Sequence, residues 1–126
     1  MGTLTISLPK ELDGYEDDLR RFFDAMVFKL RKNAHKGRWE GYTLEQAIEL
    51  LDVETLELRR AINLDNCVEI TLEAADVANF ALILSAIGIE RGHKPRDNVV
   101  QLPQIDDDGF EIPNAIKPQF RQRREE

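Results

Sequence analysis

Two pairs of carboxylates, Glu54-Thr-Leu-Glu57 and Glu73-Ala-Ala-Asp76, lie within a stretch from Thr43 to Gly88 whose other residues follow a helical, strongly apolar pattern. A spacing of i, i+3 places the members of each pair about 60° apart around a helix, as neighbours on one face. Stepping about 100° per residue from Glu54 brings Ala47, Leu50, Leu51, Leu58 and Ala61 to within roughly 60° of it, with Val53 beyond Glu57 on the same flank. Both glutamates therefore fall inside the apolar stripe. The other charges of the segment, Glu45, Glu49, Asp52, Arg59 and Arg60, project to the opposite side. Around Asp76 the same thing happens: Leu72, Phe80, Ile83 and Ile87 share a face with Glu69, Glu73 and Asn79. A carboxylate on a buried face has to be paired, protonated or bound to a metal. Neither segment holds enough inward-facing Lys, Arg or His to pair four of them, so the pattern predicts a divalent cation. Solvated acidic faces, the simplest alternative, conflict with the apolar neighbours of both pairs.

The rest of the chain frames these two segments. Thr3 to Leu8 alternates polar and apolar residues before Pro9, the pattern of a short strand or an extended arm. From Tyr15 to Asn33 the period is helical, with Leu19, Phe22, Phe23, Met26 and Leu30 on one stripe and Glu16, Asp17 and Asp18 at the end that the helix dipole favours for acids. Gly37 and Gly41 then break the pattern. Between them and the first helix the chain is basic. Its cations are those of a solvated helix end on the simplest view, but Lys32, His35, Lys36, Arg38 and Trp39 also form a phosphate and base contact set just ahead of the carboxylate helix.

Thr43 and Gln46 have the spacing of a capping box, which predicts a second helix to about Ile62. After the polar break Asn63-Leu-Asp-Asn, a third helix is expected from about Asn66 to Ile87, with Gly88 as its C′ residue. From Ala74 to Ile87 this helix is apolar on nearly every side, which predicts burial all round and a partner chain to complete it. Beyond Gly88, Pro95, Pro103, Pro113, Pro118 and Asp106-Asp-Asp-Gly leave no helical period. The expected organisation is a helical domain over 1–90, with an arm at 3–8, and an irregular proline-containing extension over 91–126.

Composition narrows the functional classes. A net charge of -7 lacks the basic face that broad nucleic-acid binding requires. No contiguous apolar run approaches the ~20 residues of a membrane span, and Met-Gly-Thr-Leu-Thr-Ile is not a secretory leader, so the expected location is cytoplasmic with no membrane association. The single cysteine, Cys67, cannot form an internal disulfide, and no Cys or His cluster has zinc spacing.

Four carboxylates on two adjacent antiparallel helices suit magnesium, which prefers oxygen ligands and leaves positions for water and substrate phosphate. A di-iron bundle is the nearest chemical competitor, but its Glu-x-x-His pairs are replaced here by Glu54-x-x-Glu57 and Glu73-x-x-Asp76, and neither helix contains histidine. A Gly-rich P-loop is absent.

The two acidic pairs, preceded by a helix and a basic Trp-containing loop, resemble the MazG-like family of all-α nucleoside triphosphate pyrophosphohydrolases, relatives of the dimeric dUTPases. The resemblance covers roughly Asp18 to Gly88. It implies an antiparallel helical bundle completed by homo-oligomerisation, as a homodimer or a dimer of dimers. It also implies Mg2+, with Mn2+ as a substitute, and hydrolysis of an NTP or dNTP to the monophosphate and pyrophosphate. Carried over position by position, the metal and catalytic roles fall on Glu54, Glu57, Glu73 and Asp76. Lys32, His35, Lys36 and Trp39 match the nucleotide-binding loop more loosely, Asn79 faces the same site, and Glu69 is placed to support a ligand. Where many members add a Lys/Asn/Arg-rich phosphate-binding stretch, this chain has only Arg91, His93, Lys94, Arg96 and Asn98. A helical dimerisation or regulatory module without turnover is the alternative from a different class.

Overall fold

The helical periods become three α-helices in the computed structural model, which describes residues 2–92 and 102–112. Gly2 to Pro9 has no regular structure, so the alternation at its start forms no strand. A 3₁₀ turn over Lys10–Tyr15, which the sequence did not suggest, leads directly into α1, Glu16–Lys32. Two ion pairs within one turn, Arg20 with Glu16 at 2.7 Å and Arg21 with Asp18, support its exposed N-terminal half. A short 3₁₀ turn, Ala34–Lys36, follows, and Gly37 and Gly41 adopt φ of 83° and 84°. That left-handed backbone favours glycine, and it turns the chain toward the next helix.

α2, Leu44–Asn63, begins with the capping box: Thr43 Oγ1 accepts from the Gln46 amide at 3.0 Å, and the Thr43 amide donates to Gln46 Oε1 at 2.9 Å. The turn after it places Asp65 at φ 54°, a conformation that Asp tolerates better than most residues. Asn66 Oδ1 then accepts from the Glu69 amide at 3.1 Å and caps α3, Cys67–Gly92, which folds back along α2 and also packs against α1.

The expected stop at Gly88 is not a stop. The helix passes through it to Gly92, because a single glycine costs a helix only about 1 kcal/mol relative to alanine, and Ile89, Glu90 and Arg91 resume the period. Glu90, in that added turn, lies 3.7 Å from Arg38. The same helix is also strongly apolar. An 18-residue stretch within Cys67–Arg91 has a mean hydropathy of 1.6, so the helix is long and apolar enough to cross a membrane by length and composition alone, a test that the core helix of a soluble protein also passes. Asp76, Asn79 and Ser85 interrupt every contiguous apolar run and so conceal this from a search for such runs.

The helices meet at small residues. Ala25, Ala47, Ala61 and Ala75 are buried, and Ile87 is the largest buried apolar side chain among the described residues. Alanines at the crossings let the backbones approach closely, but they remove little apolar surface from water. Val27, Phe28, Val53, Leu56 and Ile62 are each half exposed or more, and Leu82 on α3 is 41% exposed. In the single chain α3 is thus not covered on every side.

The chain divides into two compact units, Met1–Gly92 and His93–Glu126. In the second, the described residues form a turn in which Asp106 Oδ1 accepts from the amides of Asp108 and Phe110 at 3.0 and 2.9 Å. Gly109 there has φ 89°, and an isolated bridge joins Ile105 to Glu111. His93, Lys94, Arg96, Asn98, Pro95, Pro113 and Pro118 lie outside the described residues.

Candidate metal centre and its cleft

The helical face that carries Ala47 and Ala61 into the core also carries Glu54, which is half-buried, and the face of Ala75 carries Glu73 and Asp76. One carboxylate oxygen from each of Glu54, Glu73 and Asp76 lies within 4.8 Å of the other two. Oxygens bound to one magnesium ion at about 2.1 Å stand about 3 to 4.2 Å apart, so small side-chain rotations would bring this trio to coordination distance. The donor set, all carboxylate oxygen from two helices, fits that ion. Glu57 is half-buried nearby, but its carboxylate accepts from Arg60 Nη1 at 3.0 Å on the same helix. The second member of the first pair therefore stands beside the trio and not within it.

The acids are not without a cation, as the sequence suggested they would be. Lys29 Nζ, reaching across from α1, lies 2.9 Å from Asp76 Oδ2, with the two side chains 12% and 14% exposed. Burial works against the Lys29 charge, but the hydrogen bond to Asp76 and the negative charges of Asp76, Glu73 and Glu54 outweigh it and raise the pKa above its ordinary 10.5. Glu54 is pushed above its ordinary 4.5 by burial first, then by the charges of Asp76 and Glu73, with Lys29 opposing. Glu73 is raised in the same way, by burial and then by Asp76. One lysine thus offsets part of the crowding while the glutamates remain harder to ionise than free ones.

Beside the trio opens a cleft of about 630 Å³, whose walls include Glu54, Asp76, Lys29 and Asn79 from the helices and Lys32, Lys36, Arg38 and Trp39 from the basic loop. Its apolar side is formed by Leu50, Phe80 and Ile83 together with Tyr42. The structure so brings together Lys32, Lys36, Trp39 and Asn79 with the acids, and leaves His35 exposed and outside the lining. Arg38 lies over the Trp39 ring at 4.0 Å, which holds the indole in place. Two buried polar atoms, Nε1 of Trp39 and Oδ1 of Asn79, have no hydrogen-bond partner among the described residues. Buried polar groups of this kind are nearly always satisfied, and these two belong to residues that line the cleft. Glu69 is exposed, and Arg91 lies by a separate groove between the Trp39–Glu45 segment and the end of α3.

Lys29 is the site residue that the sequence reading missed. The signal was present, since Phe22, Ala25, Met26, Lys29 and Asn33 recur at threes and fours along the inward stripe of α1. Lys29 also begins the run of basic residues at the end of α1, which is the pattern of dipole partners and solvated surface. No known protein family, curated protein or solved structure matches this chain.

Proposed function

We propose that this chain is a magnesium-dependent nucleoside triphosphate pyrophosphohydrolase of the MazG-like type, acting on an NTP or dNTP, with Mn2+ as a substitute. One observation carries the reading: two members of a carboxylate trio held by two helices, Glu54 and Asp76, line the same cleft as Lys32, Lys36 and Trp39, and the cleft is within the size range of pockets that hold small ligands. Glu54, Glu73 and Asp76 would hold the ion, with Glu57 at its edge. Bound there, magnesium supplies charge neutralisation for the triphosphate, an acidified water and stabilisation of the leaving pyrophosphate.

The chain's own groups do the positioning. Lys32 and Lys36 take phosphate oxygens as point charges, Trp39 covers the base, and the unpaired acceptor of Asn79 takes a donor from the substrate. Water adds to a phosphorus, the anhydride P–O bond breaks, and the monophosphate and pyrophosphate are released. A cytoplasmic homodimer or dimer of dimers, which would cover the exposed apolar side chains of α1 and α2, completes the reading.

Release of pyrophosphate with Mg2+ over a panel of all NTPs and dNTPs tests it, and no release from any of them overturns it. The second reading, a helical dimerisation or regulatory module, draws on the Lys29 to Asp76 pair, since a cluster already partly neutralised needs an ion less. It predicts dimers without pyrophosphate release.

A further inference from the structure

Among the described residues, Lys29 is the only cation paired with the Glu54, Glu73 and Asp76 trio, and it does so from a third helix. We propose that Lys29 is a resident counter-ion, which occupies Asp76 until a divalent cation takes the carboxylates and then swings its displaced ammonium into the cleft to hold a substrate phosphate oxygen. The inference rests on the hydrolase reading above, because it requires a divalent cation at the trio.

Three features of the site lead to it. The pair is mostly withdrawn from solvent, and breaking such a pair strands a charge unless another partner replaces the lost one. A divalent ion among the trio would satisfy Asp76 and at the same time repel an ammonium 2.9 Å from that carboxylate. Lys29 itself lines the cleft, so the displaced ammonium is not stranded: Asn79, whose Oδ1 is buried and unpartnered, lines the same cleft one turn beyond Asp76, and the cleft is where a triphosphate would be. A lysine suits this exchange because its charge sits on a flexible four-carbon stem with three rotatable donors. A planar guanidinium would be held more firmly by the carboxylate and would compete harder with the ion.

The test is Mn2+ binding to the full chain without nucleotide, followed by electron paramagnetic resonance. Lys29→Met removes the competing charge, so manganese should bind about tenfold tighter or more than to the wild-type chain, whereas Lys29→Arg should bind it no tighter than wild type. Equal or weaker binding by a folded Lys29→Met variant, with the wild-type chain still binding the ion, overturns the counter-ion role and leaves the hydrolase reading standing. Manganese bound by neither chain overturns both. A measurement on the wild-type chain covers the case in which Lys29→Met does not fold: acylation of Lys29 by acetic anhydride, read by mass spectrometry against Lys10 in the same chain, should accelerate several-fold when Mn2+ is added. A rate that stays constant or falls overturns the proposal.

Discussion

The side-chain amide of Asn79 donates to the backbone carbonyl of Met26 at 3.1 Å and joins α3 to α1 across 53 positions of sequence. The same bond sets the direction of the Asn79 side chain and leaves its buried Oδ1 without a partner among the described residues. Asn79→Leu removes the bond and should lower stability by about 1 kcal/mol, the ordinary worth of a hydrogen bond in a fold. Urea denaturation measures it, and an unchanged midpoint would mean that the bond does not fix the α1–α3 contact.

The four acids should not be equivalent. Glu54→Gln, Glu73→Gln and Asp76→Asn each remove a member of the trio and should cost turnover more than about a hundredfold, beyond what a supporting residue costs. Glu57→Gln should cost about tenfold, because its carboxylate is turned to Arg60. Initial rates of pyrophosphate release rank the four variants. A Glu57 variant as damaged as the others would place that carboxylate on the ion.

Without metal, stability should fall as pH rises above 4.5. Glu54 and Glu73 are held above that ordinary value in the folded chain, by burial first and by neighbouring charge second. Between 4.5 and their raised values the folded state binds more protons than the unfolded one, so the stability present at low pH is lost across that window. Lys29 acts at the other extreme: its raised pKa contributes stability in full below 10.5, and this is lost as pH rises through the folded value. Chemical denaturation in a chelator at several pH values checks the acid limb, where Glu54→Gln should flatten the slope. A slope that Glu54→Gln leaves unchanged would contradict the assignment.

Lys32→Ala, Lys36→Ala and Trp39→Ala should raise KM with little change in kcat, as expected for contacts equally strong in the ground and transition states. His35→Ala should change neither constant, since His35 is exposed and outside the cleft lining. Steady-state kinetics separates the four. Constant KM in the first three would remove the loop from the site.

An assembly should form as well. Among the described residues no large side chain is fully buried in the single chain, while Phe28 and Leu56 are 54% and 56% exposed. Large apolar side chains left this exposed favour association, and we expect at least a dimer at micromolar concentration. Light scattering that reports a compact monomer would contradict this. Phe28→Lys should weaken the dimer if α1 contributes to the contact.

Features that depend on residues within a turn or two of one another are legible in the amino-acid order alone. The capping box of Thr43 and Gln46, the acidic start of α1, the break near Asn63 and the inward direction of Glu54, Glu73 and Asp76 follow from helical period and from caps, and they stand in the structure as read. The tertiary structure alone decided which side chains meet. Lys29 belongs by sequence to a basic helix end, and only the packing of α1 against α3 carries its ammonium to Asp76. Glu57 has the spacing of a ligand, yet a closer cation on its own helix, Arg60, takes its carboxylate. Gly88 has the chemistry of a helix end, but the residues after it continue the turn. Helical period fixes the direction of a side chain about its own axis to within a few tens of degrees. What it faces depends on how separate helices cross, and that is set by contacts between residues distant in sequence.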